Sequence, residues 1–137
     1  MRHKVLLVDD DPDARSIFGA ALQERGYELI LAVNGAEAVH LARRHKPDLI
    51  LMDIRMPVMD AWEALKYLRS DHKTAGKPIW AISAYLDQES GSQGLGNSFD
   101  RLFAKPLDPH VLVEAVDGYF GRSDEVIARE AEPPEVG

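Results

Sequence analysis

The chain has no cysteine among its 137 residues, which excludes disulfides and thiolate metal sites. It also lacks any uninterrupted apolar stretch near the ~20 residues that a membrane-spanning helix requires. The apolar run behind Met1-Arg2-His3-Lys4 extends only from Val5 to Val8, well short of a signal peptide's hydrophobic region. We therefore expect a cytoplasmic protein with no membrane partner. Positive charge is the scarcer sign, since 16 Lys and Arg face 23 Asp and Glu for a net charge of -7. Phosphate backbones are gripped by Lys and Arg, so nucleic-acid binding by this chain is not expected and a protein partner is. What is present, 45% hydrophobic and 28% charged residues, suits one globular domain with a single core.

Four apolar runs of strand length punctuate the chain: Val5 to Val8, Leu29 to Val33, Leu49 to Met52 and Ile79 to Ile82, with a weaker fifth at Leu102 to Ala104. Runs that are apolar at every position suit strands covered on both faces, as in parallel sheets. The intervening segments read as helical crossovers. The first spans Pro12 to Arg25, with Ala14, Ile17, Phe18, Ala21 and Leu22 on one stripe, Asp11 as N-cap, Pro12 in the first turn and Gly26 as stop. The second runs from Ala36 to His45 behind Asn34-Gly35, and Pro47 bars its continuation. A third begins near Asp60 and is expected to bury Trp62, Leu65 and Leu68. The last opens with Asp108 as cap and Pro109, and turns Leu112, Ala115, Val116 and Tyr119 inward. The crossover between, Leu86 to Gly96, carries three glycines at ~1 kcal/mol each against alanine, and is expected to be short or mobile. The domain is placed at residues 1–121, and the acidic segment 122–137 is expected to be a flexible tail.

The acids are not scattered. Asp9, Asp10 and Asp11 close the first strand, and Asp53 closes the third, so a parallel sheet would gather them at one rim. Crowded carboxylates repel, and are tolerated where a divalent cation, a cationic side chain or a proton neutralises them. Metal-assisted phosphate chemistry is the leading reading. The histidines His3, His40, His45, His72 and His110 show no metal-ligand spacing and read as surface residues. Trp62 and Trp80 read as packing residues.

Leu7-Val8-Asp9-Asp10-Asp11, Leu51-Met52-Asp53-Ile54-Arg55-Met56-Pro57, Ser83-Ala84 and Lys105-Pro106, each behind its own strand, resemble the receiver domain of two-component response regulators. The resemblance covers roughly residues 3 to 120. It implies an α/β, flavodoxin-like fold: a doubly wound five-stranded parallel sheet of order 2-1-3-4-5 with helices on both faces. It further implies a phosphoacceptor that takes a phosphoryl group from a phosphohistidine of a sensor histidine kinase or histidine phosphotransfer protein. Such a domain signals through altered contacts with a downstream protein, is compatible with a homodimer, and catalyses only its own phosphorylation and dephosphorylation.

In those terms Asp53 is the candidate nucleophile, giving an acyl phosphate. Asp9, Asp10 and Asp53, with the backbone carbonyl of Arg55, would hold magnesium (Mg²⁺), a hard cation that takes oxygen ligands. Lys105 would pair with Asp53 and then with the phosphoryl oxygens, and Ser83 would donate its hydroxyl to the same group. Asp11, directly before Pro12, fits helix capping better than metal binding. Lys105-Pro106 is a candidate cis peptide, after the family's habit.

Three departures from the family pattern stand out. Leu102 occupies the position, three before the lysine, where the family's switch aromatic sits, and Phe103 should face the other side of its strand. Ala61 stands where the family places glycine, so either a positive φ is strained there or the turn differs. Arg55 and Tyr85 flank the expected approach of the hydrolytic water and should slow self-dephosphorylation. The alternatives are weaker. A phosphorylation-independent docking module would not need the complete set of acids, hydroxyl and lysine. An aspartate phosphatase would want a carboxylate where Arg55 stands, and a flavodoxin-like carrier would not put Asp9-Asp10-Asp11-Pro12-Asp13 against a phosphate.

Overall fold

The strands form where the chain is apolar at consecutive positions, and all of them run parallel. The computed structural model describes residues 2–56, 58–84 and 99–122. Strand β1 (Lys4–Val8) leads into α1 (Pro12–Glu24), β2 (Glu28–Ala32) into α2 (Gly35–His45), and β3 (Leu49–Asp53) into α3 (Ala61–Ser70). Then come β4 (Ile79–Ser83), β5 (Arg101–Ala104) and α4 (Pro109–Tyr119). The five-stranded sheet has the order β2-β1-β3-β4-β5, as the resemblance implied. The glycine-rich crossover and the tail from residue 123 onward lie outside the described residues, as does Pro57.

Alternate residues along a strand point to opposite faces, and both faces are covered here. Leu6, Val8, Ile50, Met52 and Ile79 pack against Ala38, Ala42, Ala64, Leu65 and Leu68 of α2 and α3. Val5, Leu7, Leu49, Leu51, Trp80 and Ile82 pack against Phe18 and Leu22 of α1 and Leu112, Val113 and Val116 of α4. Complete burial of a side chain such as Leu22 contributes roughly 1.5–3 kcal/mol. The central strands β3 and β4 are buried at every residue, whereas the edge strands β2 and β5 are not.

The helices start as their caps dictate. Asp11 accepts from the Asp13 amide, Asn34 from Glu37, Asp60 from Glu63 and Asp108 from His110. Helix α2 begins at Gly35, one residue earlier than the spacing suggested, because Asn34 is its cap.

Two expected inward positions are corrected. Ile17 is 55% exposed, because the buried stripe of α1 is Phe18, Gly19 and Leu22 and Ile17 falls on its flank. Tyr119 is 51% exposed, since α4 turns Leu112, Val113, Val116 and Asp117 inward. The Tyr119 ring instead caps Trp80 edge-on at 5.6 Å. Trp62 is half-buried against Phe99.

A polar network closes the amino-terminal edge of the sheet. The buried Asp117 carboxylate accepts from Arg25 Nε at 2.9 Å and Nη2 at 2.6 Å, and from the Tyr27 hydroxyl. Arg122 lies over the Tyr27 ring and donates its amide to the Asp117 carbonyl, so packing extends to residue 122. Burial, followed by the hydrogen bond to Asp117, pushes the Tyr27 hydroxyl well above the ordinary tyrosine range.

Candidate functional site

Parallel strands end at the same edge of a sheet, so residues that close different strands become neighbours. Asp53 is the last residue of β3 and Ser83 the last of β4, while Asp9 and Lys105 directly follow β1 and β5. The amide of Ile54 donates to Ile82 O, and that of Lys105 donates to Ser83 O, which keeps these strand ends level. Asp9, Asp53 and Ser83 are buried, Lys105 is half-buried, and Asp10 is exposed.

Lys105 Nζ lies 3.4 Å from Asp53 Oδ2 and 3.6 Å from Asp9 Oδ2, a cation held between two acids. Carboxylate oxygens of Asp9, Asp10 and Asp53 all come within 4.8 Å of one another. Three converging carboxylates are an all-oxygen donor set of the kind a hard divalent cation such as magnesium takes. Among the described residues no histidine joins this cluster. Burial, opposed by the Lys105 charge and reinforced by Asp9, raises the Asp53 carboxyl to about 6; the Arg55 backbone N–H donates to it and limits the rise.

The β1–α1 turn is tightly tied. Asp9 N donates to Ala32 O, Asp9 Oδ1 accepts from the Asp11 amide at 3.0 Å, and Asp9 O accepts from Arg15 Nη1 at 2.6 Å. Arg15 carried no motif signal, because its partner is a main-chain carbonyl that any residue supplies. Asp11 caps α1, as its place before Pro12 suggested.

The departures resolve in part. Ala61 opens α3 with its methyl fully buried, and its amide donates to Ile54 O at 3.2 Å. Ala61 is helical and carries no positive φ; the left-handed residue of the loop is Val58, at φ 69° and 83% exposed. Gly35 fits beside this loop because it has no side chain, its amide donating to Met59 O at 2.8 Å. Leu102 packs on the α2–α3 side, and Phe103 on the opposite face beside Trp80, with the Arg101 guanidinium over both rings. Phe103 is therefore not a substitute for the missing aromatic. Lys105-Pro106 is cis. Arg55 is exposed, while Tyr85 lies outside the described residues. A groove of about 1140 Å³ lined by Lys77, Trp80, Asp100, Arg101 and Tyr119 sits at the other edge of the sheet and contains none of Asp9, Asp10, Asp53, Ser83 and Lys105. A phosphoryl group is small enough to be handled at an open rim, so the larger hollow does not displace it as the site.

Comparison with known proteins agrees with this geometry. The family model for the response regulator receiver domain matches residues 5–117. The chain is 34% identical over 124 residues to the polar-differentiation response regulator DivK of Brucella anthropi, covering 88% of this chain and 98% of that protein. Among solved structures, it is similar to the receiver domain of a sensor histidine kinase from Pseudomonas aeruginosa, described with a magnesium ion coordinated in the active site cleft. That match has a TM-score of 0.81 and 30% identity, over 88% of this chain and 99% of the other. The chemotaxis response regulator CheY4 of Vibrio cholerae matches with a TM-score of 0.78 and 30% identity, over 86% and 98%. With a sheet of this order, these residues at its rim and a family match across most of its length, the chain belongs to the response regulator receiver domains of two-component signalling.

Proposed function

We propose that this receiver accepts a phosphoryl group on Asp53 from the phosphohistidine of a sensor kinase or phosphotransfer protein, and passes the signal on through altered protein contacts. The observation that carries the reading is the placement of Lys105 Nζ 3.4 Å from Asp53, beside carboxylates that converge to within 4.8 Å.

An Asp53 oxygen attacks phosphorus as the P–N bond of the donor breaks, and the electron pair leaves with the imidazole. At pH 7.5 Asp53 is largely ionised, since its pKa of about 6 lies below that value. Lys105 sits where its ammonium can pass from the carboxylate to the phosphoryl oxygens, and the Ser83 hydroxyl, at the end of the neighbouring strand, donates to another. Asp9, Asp10 and Asp53, with the Arg55 carbonyl, would hold magnesium, which supplies charge neutralisation for the transferred group. The chain thus promotes only its own phosphorylation and dephosphorylation. We place it in the cytoplasm with the donor; among the described residues no helix is long and apolar enough to cross a membrane.

The test is treatment with a small-molecule phosphodonor and magnesium, followed by a phosphate-affinity gel. A retarded band that disappears in Asp53→Asn is expected. The absence of any retardation in the wild-type protein would leave a docking module as the reading.

A further inference from the structure

Asp9 has each of its polar groups engaged. Its amide is on Ala32 O, one carboxylate oxygen is on the Asp11 amide, the other faces Lys105, and its carbonyl receives the Arg15 guanidinium at 2.6 Å. The last of these governs Asp10. The peptide between Asp9 and Asp10 is planar, so fixing the carbonyl oxygen of Asp9 also fixes the nitrogen and Cα of Asp10, and leaves its side-chain direction to one backbone rotation. Asp10 is exposed, and the turn that carries it spans only three residues between Val8 and Pro12. Arg15 is itself anchored, since its amide donates to Asp11 O in the first turn of α1 while its side chain reaches back to the strand end.

We infer that Arg15 is a positioning residue for the acid pair: through the Asp9 carbonyl it sets the β1–α1 turn so that Asp10 and Asp9 converge with Asp53 on one cation. This rests on the reading of the rim as a magnesium site.

Arg15 has two effects of opposite sign, which makes the inference sharp. As a positive charge near Asp9 and Asp10 it disfavours a divalent cation, so deleting it on that ground alone would tighten binding. As the clamp on the turn it favours the ion, so deleting it would weaken binding. A solvated surface arginine would give the first result or none. The clamp gives the second, and a lysine, which keeps a cationic donor on a flexible stem, recovers part of the loss.

The experiment is calorimetric titration of the full chain with magnesium chloride, for the wild-type protein, Arg15→Ala and Arg15→Lys, with melting temperatures recorded in chelator. Arg15→Ala is expected to lose roughly tenfold in magnesium affinity, as befits a lost charge-assisted hydrogen bond, and Arg15→Lys to lie between it and the wild type. Melting in chelator should change little, which separates positioning from a general loss of fold. An Arg15→Ala affinity equal to or above that of the wild type overturns the inference and leaves the proposed function standing. A wild-type protein that binds no magnesium overturns both. Should Arg15→Ala fail to fold, Arg15→Gln carries the comparison, because its shorter neutral side chain does not reach the carbonyl; an affinity equal to wild type again overturns the inference.

Discussion

The Gly35 amide donates to Met59 O across 2.8 Å, and a Cβ added at position 35 would stand 2.4 Å from that same oxygen. The start of α2 is thereby seated on the loop that follows Asp53. Backbone cannot yield as a flexible side chain does, so Gly35→Ala should push the loop away and destabilise the fold by about 1–3 kcal/mol. Gly118 provides the contrast: it lies within α4 with nothing near the Cβ position, and Gly118→Ala should stabilise by up to ~1 kcal/mol. Urea unfolding of both variants checks the pair. Similar effects for the two would show that the close approach at Gly35 does not exist in solution.

Removing Asp117 should be among the most damaging single changes away from the rim. Its carboxylate serves Arg25 and the Tyr27 hydroxyl, with the Arg122 guanidinium 4.0 Å away, and it is buried. Asp117→Ala removes this anion from the buried Arg122 guanidinium and the half-buried Arg25 guanidinium, a loss of about 3–5 kcal/mol. Thermal unfolding should fall by well over 5 °C, on the order expected for a domain of this size. An unchanged midpoint would mean that the network makes no net contribution.

Asp53 should leave a signature in the pH dependence of stability when divalent ions are chelated. Its folded pKa of about 6 lies above the unfolded value of 3.8, so the folded chain binds more protons than the unfolded chain between those limits. Its contribution is fully present below pH ~4 and is lost as pH rises through about 6, amounting to about 3 kcal/mol for a displacement of that size. Asp53→Asn should therefore be more stable than the wild type at pH 7, with the gap closing toward pH 4. Denaturant unfolding across that range measures it. A gap independent of pH would show that Asp53 is not raised.

Much of this architecture could be read from the residues, for identifiable reasons. Strands β1, β3 and β4 are apolar at consecutive positions because helices cover both their faces, and Asp11, Asn34, Asp60 and Asp108 are cap residues in front of helical stretches. Parallel strands then deliver Asp9, Asp53, Ser83 and Lys105 to one edge without further information. The misplaced residues are those whose setting depends on angle or on the main chain. Ile17 and Tyr119 sit at the margins of their helical stripes, where a rotation of one position decides exposure. The Val58 conformation and the seat at Gly35 follow from how one loop meets one helix, which no local pattern encodes. Arg15 escaped notice because its acceptor is a carbonyl oxygen, and Asp117 because an acid on an apolar helix face announces no partner when Arg25 lies 92 residues away.

The most direct measurement of the central claim is chemical trapping of the modified side chain. Borohydride reduction after treatment with phosphodonor and magnesium converts an acyl phosphate to an alcohol, and fragmentation mass spectrometry locates it. Homoserine at position 53, dependent on magnesium and reduced in Lys105→Ala, is the expected result. Modification at another aspartate, or equal yield with and without magnesium, would contradict the assignment of Asp53 as the phosphoacceptor in a metal-assisted site.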